Sequence, residues 1–458
     1  MSPEAVPGDA AAAARLAELR EAGLLRRMRT VAGAQGPRVV LDGREVLLLC
    51  SNNYLGLAGE RSVRYAGAKA YRDDGAGSGA SRLVSGNMDA HESLERRLAA
   101  FHEQPAALLF GSGYLANTGV IPALARRGEI VCSDELNHAS IIDGCRLAGA
   151  ETFVYRHRDV EHLAWGLEQA GGRASLIVSD GIFSMDGDVA PLGWLLELAR
   201  RHGARLMVDD AHGVGAYGPG GRGSVAAAGL EGEVDVVVGT LGKSLASYGA
   251  YVACSAPMRE LLVNSARTEI FSTGLPPACA AAAEAALDLI EAEPGRVEAL
   301  QENAAVLRAA LREQGLETGK GRTQIVPVVI GAPERAVAAC ARALDAGVFA
   351  QAIRPPTVPP GTSRLRLTVM ASHRPAELRR AAAVIGDAVR AVAADGDWAL
   401  ELDPARLDAI DASEADPAGE ISISDERIRI TRTAEQAPTS PPAGASAVAA
   451  PAGGDTPA

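Results

Sequence analysis

A chain of 458 residues, 47% hydrophobic and 22% charged, is long enough for more than one globular domain with a sizeable core. Its formal net charge of −12, from 57 acidic against 45 basic residues, argues against nonspecific binding to nucleic acid or an anionic membrane and leaves small anionic substrates open. No basic segment leads into an apolar one at the start and no stretch offers 18 unbroken apolar residues, so a soluble cytoplasmic protein is expected.

The Ala-rich start, with Leu16, Leu19, Leu24, Leu25 and Met28 beside several arginines, predicts an N-terminal helix or arm. Val40 to Leu49 reads as two short strands around Asp42-Gly43, and Ser51 to Leu57 as a loop presenting side chains. From about residue 90 to 255, helical stretches such as His91 to His102 and Leu192 to His202 alternate with apolar runs at Ala106 to Phe110, Leu176 to Val178, Leu206 to Val208 and Val234 to Val238. Such runs suit strands buried on both faces, so an α/β domain with a largely parallel sheet is expected. An Ala-rich helix precedes Pro294, after which helix, strand, helix, strand, helix predicts a smaller C-terminal α/β domain with strands at Ile325 to Ile330 and Leu365 to Val369. The divisions are 1–50 for the arm and its small strands, 51–295 for the large domain, 296–395 for the small one and 396–458 for a tail. From Glu401 onward the tail carries 11 acidic residues and 4 arginines and then becomes an Ala, Pro, Gly, Ser and Thr mixture, which predicts disorder. Ile421, Ile423, Ile428 and Ile430 alternate with polar residues and leave a short hairpin open within it.

The strongest local pattern is Leu206-Met207-Val208-Asp209-Asp210-Ala211-His212-Gly213, an apolar strand that delivers Asp209 and His212 to the carboxyl edge of a sheet, where open α/β folds bind ligands. A buried structural Asp with a core His is the alternative. Val234 to Val238 likewise leads into Gly239-Thr240-Leu241-Gly242-Lys243, where a desolvated Lys243 could form a Schiff base or simply lie on the surface. A nucleotide-binding P-loop is excluded because Val237 stands where that pattern needs glycine. Gly111-Ser112-Gly113-Tyr114 follows a strand and opens a helix whose free amides could hold a phosphate, with Tyr114 covering an aromatic ligand. It is not GxGxxG, so nicotinamide binding ranks low. His138 could cover a planar ring, whereas a metal set of His138, Asp209 and His212 lacks compact ligand spacing, and none is expected. The six cysteines form no CxxC pair and read as free thiols. Arg354 and Arg366 are candidate carboxylate partners or solvated surface cations.

In order along the chain, Ser51-Asn52-Asn53-Tyr54-Leu55-Gly56-Leu57, Gly77-Ser78-Gly79-Ala80-Ser81-Arg82-Leu83-Val84-Ser85-Gly86, Asn137-His138-Ala139-Ser140, Asp209-Asp210-Ala211-His212-Gly213 and Gly239-Thr240-Leu241-Gly242-Lys243 resemble the α-oxoamine synthases. The resemblance, from about Leu16 to His373, implies a fold type I transferase with pyridoxal 5′-phosphate as cofactor. It implies that Lys243 carries the cofactor as an imine, that Asp209 pairs with the pyridinium nitrogen and that His138 stacks on the ring. His212 and Ser184 would contact the phenolic oxygen, and Gly113, Tyr114 and Thr240 the phosphate or ring. Ser272 and Thr273 would reach the phosphate in the other subunit of a homodimer. Asn52 and Arg366 are expected at the amino-acid carboxylate, with Arg26 and Arg354 as further substrate contacts. The implied reaction is decarboxylative condensation of L-alanine with pimeloyl-CoA to 8-amino-7-oxononanoate, CoA and carbon dioxide. Relatives that take glycine or another acyl-CoA, or a cofactor-binding scaffold without turnover, are the other readings.

Overall fold

Buried apolar runs alternating with amphipathic helices build one central sheet. The computed structural model describes residues 9–21, 25, 28–394 and 430–431. Three strands open the chain, β1 (Val31–Ala32), β2 (Arg38–Leu41) and β3 (Arg44–Leu48). Seven more follow: β4 (Ala106–Phe110), β5 (Ile130–Asp134), β6 (Glu151–Tyr155), β7 (Ala174–Asp180), β8 (Arg205–Asp209), β9 (Val236–Thr240) and β10 (Ala250–Cys254). The last are β11 (Ile325–Gly331), β12 (Val348–Phe349), β13 (Gln351–Ile353), β14 (Ser363–Thr368) and β15 (Ile430–Thr431).

The main sheet has the order β15-β6-β5-β7-β8-β9-β10-β4. Strands β5 to β9 are mutually parallel, and β10 runs antiparallel to both β9 and β4. Every residue of β7 is buried, as expected for a strand covered by helices on both faces. The apolar-run criterion misses β5 and β6, which carry Cys132, Ser133 and Asp134, and Glu151 and Thr152, within the strands themselves.

Register decides where the chemistry falls. In the β7–β8 pairing Asp180 lies opposite Asp209, so two carboxylates leave the sheet side by side. Thr240 ends the neighbouring β9, three residues before Lys243. Strand β4 is antiparallel to β10 just as β9 is, so Gly111 and Ser112 emerge at this same carboxyl edge.

The chain's start is stitched to its C-terminal part. β2 and β3 form the expected hairpin at Asp42-Gly43, whose φ values of 48° and 85° suit a tight two-residue turn. β3 then pairs in parallel with β12, making the four-stranded sheet β1-β2-β3-β12, while β11-β14-β13 form a separate sheet. The small strands of the expected arm are thus hydrogen-bonded to the C-terminal domain. The Ser51–Leu57 stretch also differs from a presenting loop: Tyr54, Leu55 and Leu57 are fully buried in the core. The helix Asp9–Glu21 buries no residue. Of the alternating isoleucines only Ile430 is described, in a two-residue pairing with β6; residues 395–429 and 432–458, with the rest of that hairpin and the expected disorder, lie outside the described residues, as does Arg26.

The loop after β7 connects the two parts. Gly187 has φ 72° and a side chain there would stand 2.5 Å from the Ile325 carbonyl oxygen, so glycine lets this loop press against β11. His157 holds the same loop from the sheet side: Nδ1 is 2.9 Å from Asp134 and Nε2 2.8 Å from Asp188. Burial alone would lower the imidazole's pKa, but the two carboxylates outweigh it and raise it to about 10. The folded state thus binds this proton more tightly than the unfolded chain, whose ordinary value is 6.5. The clamp's contribution to stability is complete below that value and is lost as pH rises through about 10. Thermal melts of the native protein are expected to lose stability progressively from about pH 6.5 to about pH 10, and His157→Gln should abolish that dependence while lowering stability at pH 7 by about 3 kcal/mol.

Candidate active site

At the carboxyl edge, Asp209 ends β8 with its side chain toward the site, while the next residue, Asp210, faces away. Asp210 is fully buried and accepts from the Ser224 amide at 2.7 Å and the Ser224 hydroxyl at 2.8 Å, so it holds the fold. Asp209 accepts from the Ala211 amide at 3.0 Å and from Asn117 Nδ2 at 2.6 Å. Asn117 Nδ2 also donates to Ser140 Oγ at 2.8 Å, and Ser140 Oγ lies 2.7 Å from His138 Nδ1. That nitrogen also accepts from the Ser140 amide, so the His138 proton sits on Nε2. Part of the residue remains open to solvent. Burial beside the Lys243 cation lowers its pKa against the pull of Asp209, which keeps the imidazole neutral. Beside Asp209, the buried Asp180 accepts from the His138 amide at 2.9 Å, and burial with the Asp209 charge lifts its pKa well above the carboxylate range.

Lys243, partly buried, places Nζ 2.9 Å from His212 Nε2. Loss of hydration, with Arg366 acting in the same direction and Asp209 and Asp180 opposing, brings the amine's pKa down to about 8. His212 is buried and, with Lys243, Arg366 and His138 around it, its pKa falls well below the usual value, so the ring is neutral. On its other side His212 Nδ1 is 2.6 Å from the hydroxyl of buried Tyr54. That hydroxyl is 3.1 Å from Asn52 Oδ1 and 3.4 Å from Arg366 Nη2. Arg366 Nη1 donates to Asn52 Oδ1 at 3.2 Å and Nε to the Ser184 carbonyl at 2.5 Å. One connected set therefore joins Lys243, His212, Tyr54, Asn52, Arg366 and the Ser184 backbone, and a second joins Asp209, Asn117, Ser140 and His138.

The remaining candidates lie apart from these two sets. Ser112 caps the helix Gly113–Leu124 and accepts from the Leu115 amide, while a side chain at Gly113 would meet nothing within 4 Å. This gives an open helix N-terminus beside the sheet edge. Thr240 Oγ1 accepts from the Gly242 amide at 3.2 Å and shapes the turn before Lys243. Tyr114 is 46% exposed and its hydroxyl bonds Asp143. Thr273 bridges Ser81, so Ser272 and Thr273 sit against the 78–86 segment, and Arg354 donates to the Leu25 carbonyl at 3.2 Å. Among the described residues no group of three or more His, Cys, Asp or Glu side chains is arranged to hold a metal ion, and no helix is long and apolar enough to cross a membrane.

The sequence reading left out Tyr54, Asn117, Ser140 and Asp180. Asp180 has the same signal as Asp209, an acid at the end of a buried run. Tyr54 lay inside a quoted motif but looked like a loop residue, and nothing in the sequence marks Asn117, one turn into a helix.

The family model described as aminotransferase class I and II matches residues 44–385. A protein of Geobacter sulfurreducens named 8-amino-7-oxononanoate synthase is 54% identical over 376 residues, covering 81% of this chain and 96% of the relative. The chain belongs to the α-oxoamine synthase family. Among solved structures, a serine palmitoyltransferase from S. paucimobilis with a bound pyridoxal phosphate adduct superposes with a TM-score of 0.80 at 33% identity, covering 85% of this chain and 100% of that one. The 8-amino-7-oxononanoate synthase of Francisella tularensis gives a TM-score of 0.66 at 25% identity, over 76% of this chain and 98% of that one. The fold is the type I fold of this family, with a large α/β domain and a smaller C-terminal one, and the cofactor is pyridoxal 5′-phosphate. The donor set fits that cofactor: a fixed carboxylate, a neutral imidazole, an amine of lowered pKa and an open helix N-terminus converge on one edge.

The sequence has three lysines, Lys69, Lys243 and Lys320, which makes the amine separately measurable. In the cofactor-free protein, labelling of Lys243 by an amine reagent, read by peptide mass spectrometry, should rise with pH around a midpoint of about 8. Asp209→Asn removes a charge that favours the ammonium and should move the midpoint down. Arg366→Gln removes one that disfavours it and should move the midpoint up.

Proposed function

We propose that this protein catalyses the decarboxylative condensation of L-alanine with pimeloyl-CoA, or a pimeloyl-carrier thioester, to 8-amino-7-oxononanoate with release of the thiol and carbon dioxide, the ketone-forming condensation of biotin synthesis. The observation that carries this reading is the 54% identity to a relative of that name over 96% of its length. The joined Lys243, His212 and Arg366 geometry supports the shared chemistry.

In this reading Asp209, held by Asn117, keeps a proton on the ring nitrogen of the cofactor, and the His138 ring lies against its face. His212 and Ser184 would contact its phenolic oxygen, and the helix N-terminus at Gly113 and Tyr114, with Thr240, would hold the phosphate. When bound, pyridoxal phosphate supplies an aldehyde that captures the amine and a ring that accepts the electron pair left when a bond to the α-carbon breaks. Arg366 and Asn52 bind the alanine carboxylate, the guanidinium offering the paired donors that match it. Lys243 Nζ, with a pKa near 8, removes the α-proton and later returns a proton to the product carbon. Arg354 is assigned to the thioester substrate, and Arg26 is proposed beside it from the family resemblance.

A second copy of the chain is the partner in this reading. Phe271, Leu83 and Val84 are exposed around the Thr273–Ser81 bridge, a surface that a second copy would cover, leaving Ser272 and Thr273 to reach its phosphate.

The test is turnover of the cofactor-loaded protein with L-alanine, glycine and L-serine against acyl-CoA thioesters of different length, following free CoA and product mass. Selective formation of 8-amino-7-oxononanoate supports the reading; preference for another pair keeps the family chemistry and overturns the substrate. Arg366→Gln is expected to lose about 2–4 kcal/mol of substrate binding, a rise in KM for alanine of roughly 30- to 1000-fold, read from initial rates.

A further inference from the structure

Tyr54 is the buried group that the proposed chemistry leaves unused. Its hydroxyl has one proton and three polar neighbours within 3.4 Å: His212 Nδ1, Asn52 Oδ1 and Arg366 Nη2. Which way each bond points follows from groups that can only donate. Arg366 only donates, so the Asn52 atom facing Nη1 at 3.2 Å is its carbonyl oxygen and the amide orientation is set. At pH 7 the Lys243 ammonium also only donates, so His212 Nε2 accepts and the single proton of the neutral ring is on Nδ1. Nδ1 then donates to the Tyr54 oxygen, and the Tyr54 proton goes to Asn52 Oδ1. Burial raises the Tyr54 pKa, so the phenol keeps this proton.

We propose that Tyr54 is a positioning residue that fixes the tautomer of His212, with the bonds running from Lys243 through His212 and Tyr54 to the Asn52–Arg366 pair. The row ends on an amide oxygen that takes no proton, so it orients and does not conduct. It joins the two ends of the site: an amino-acid carboxylate that draws Arg366 and Asn52 to itself frees the Tyr54 proton to turn toward His212 Nδ1. That nitrogen accepts only in the Nε2 tautomer, so a bound carboxylate lets the two tautomers compete where the resting row holds one. The groups that act on this row are Arg366 and the Gln324 side chain on Tyr54, Lys243, Arg366 and the titratable His138 on His212, and Asp209, Asp180 and Arg366 on Lys243.

This inference rests on the proposed carboxylate role of Arg366 and Asn52 only for its coupling to substrate; the resting tautomer does not depend on which substrate is used. The chain has eight histidines, and long-range proton–nitrogen spectra of the imidazoles, with His212→Gln to assign the signal, read the tautomer directly in the cofactor-free protein. At pH 7 wild-type His212 should carry its proton on Nδ1. Tyr54→Phe keeps the ring in the core and leaves the Nδ1 proton without its acceptor, so the Nε2 tautomer should gain population at the expense of the Lys243 ammonium. The same variant should move the midpoint for Lys243 labelling to lower pH by about one unit, on the order of tenfold in proton affinity. A proton on Nε2 in the wild-type protein overturns the proposal whatever the variant does. An unchanged tautomer and midpoint in a folded Tyr54→Phe variant overturns it equally. A protein that condenses a different amino acid but shows the Nδ1 tautomer would overturn the substrate reading and leave this one standing.

Discussion

An ammonium taken out of water must be held by what surrounds it, and Lys243 is the ammonium around which this site is arranged. Its proton affinity is lowered by lost hydration and by Arg366 and kept from falling further by Asp209 and Asp180. None of these groups is near it in sequence: Asp180 and Asp209 end adjacent strands, and Arg366 sits on a strand of the C-terminal part. A parallel sheet is suited to this because it brings the carboxyl ends of successive strands to one edge while the crossover helices stay on the faces. The amine therefore has a pKa close to neutrality through placement, with no unusual residue type.

The two parts of the chain meet where the substrate carboxylate is proposed to bind. Arg366 reaches across to the Ser184 carbonyl in the loop after β7, and that loop is held by Thr323 at Gly187 and by the His157 clamp through Asp188. The neighbouring Arg364 pairs with Asp186 in the same loop. Movement of the C-terminal part would therefore shift the guanidinium and the Ser184 segment together. The N-terminal strands add a third tie, since β3 pairs with β12 and leads directly into the segment that contains Asn52 and Tyr54. The groups proposed for carboxylate recognition and proton chemistry are thereby built on elements that are locked to one another.

Family membership sets the chemistry more firmly than the substrate. The serine palmitoyltransferase structure superposes on this chain more closely than the Francisella 8-amino-7-oxononanoate synthase does, although the Geobacter relative at 54% identity carries the latter name. The scaffold is shared by relatives of different names, so the fold does not by itself set the substrate, which belongs to individual side chains of the site.

Much of this protein is legible in the sequence. Apolar runs ending in Asp209 and leading to Lys243 point to strand ends, and the helix Leu192–His202 and strand Ala106–Phe110 fall where periodicity puts them. The five ordered motifs carry the family, because a cofactor of fixed shape demands particular groups at particular strand ends. Strands β5 and β6 escape the apolar-run pattern because Ser133, Asp134, Glu151 and Thr152 interrupt it, with Asp134 held by His157 and Glu151 by Arg173. The choice between Asp209 and Asp210 as the carboxylate that faces the site belongs to the fold, because successive residues at a strand end face opposite ways. Tyr54 shows the same limit from the other side. Its neighbours in sequence mark a turn, yet its hydroxyl lies between His212 and Arg366, residues 158 and 312 positions away. Sequence by itself determined which reactive groups the chain carries and at which strand ends they emerge; only the tertiary structure decided which of them share a proton, because hydrogen bonding depends on separations of about 3 Å that chain order does not encode.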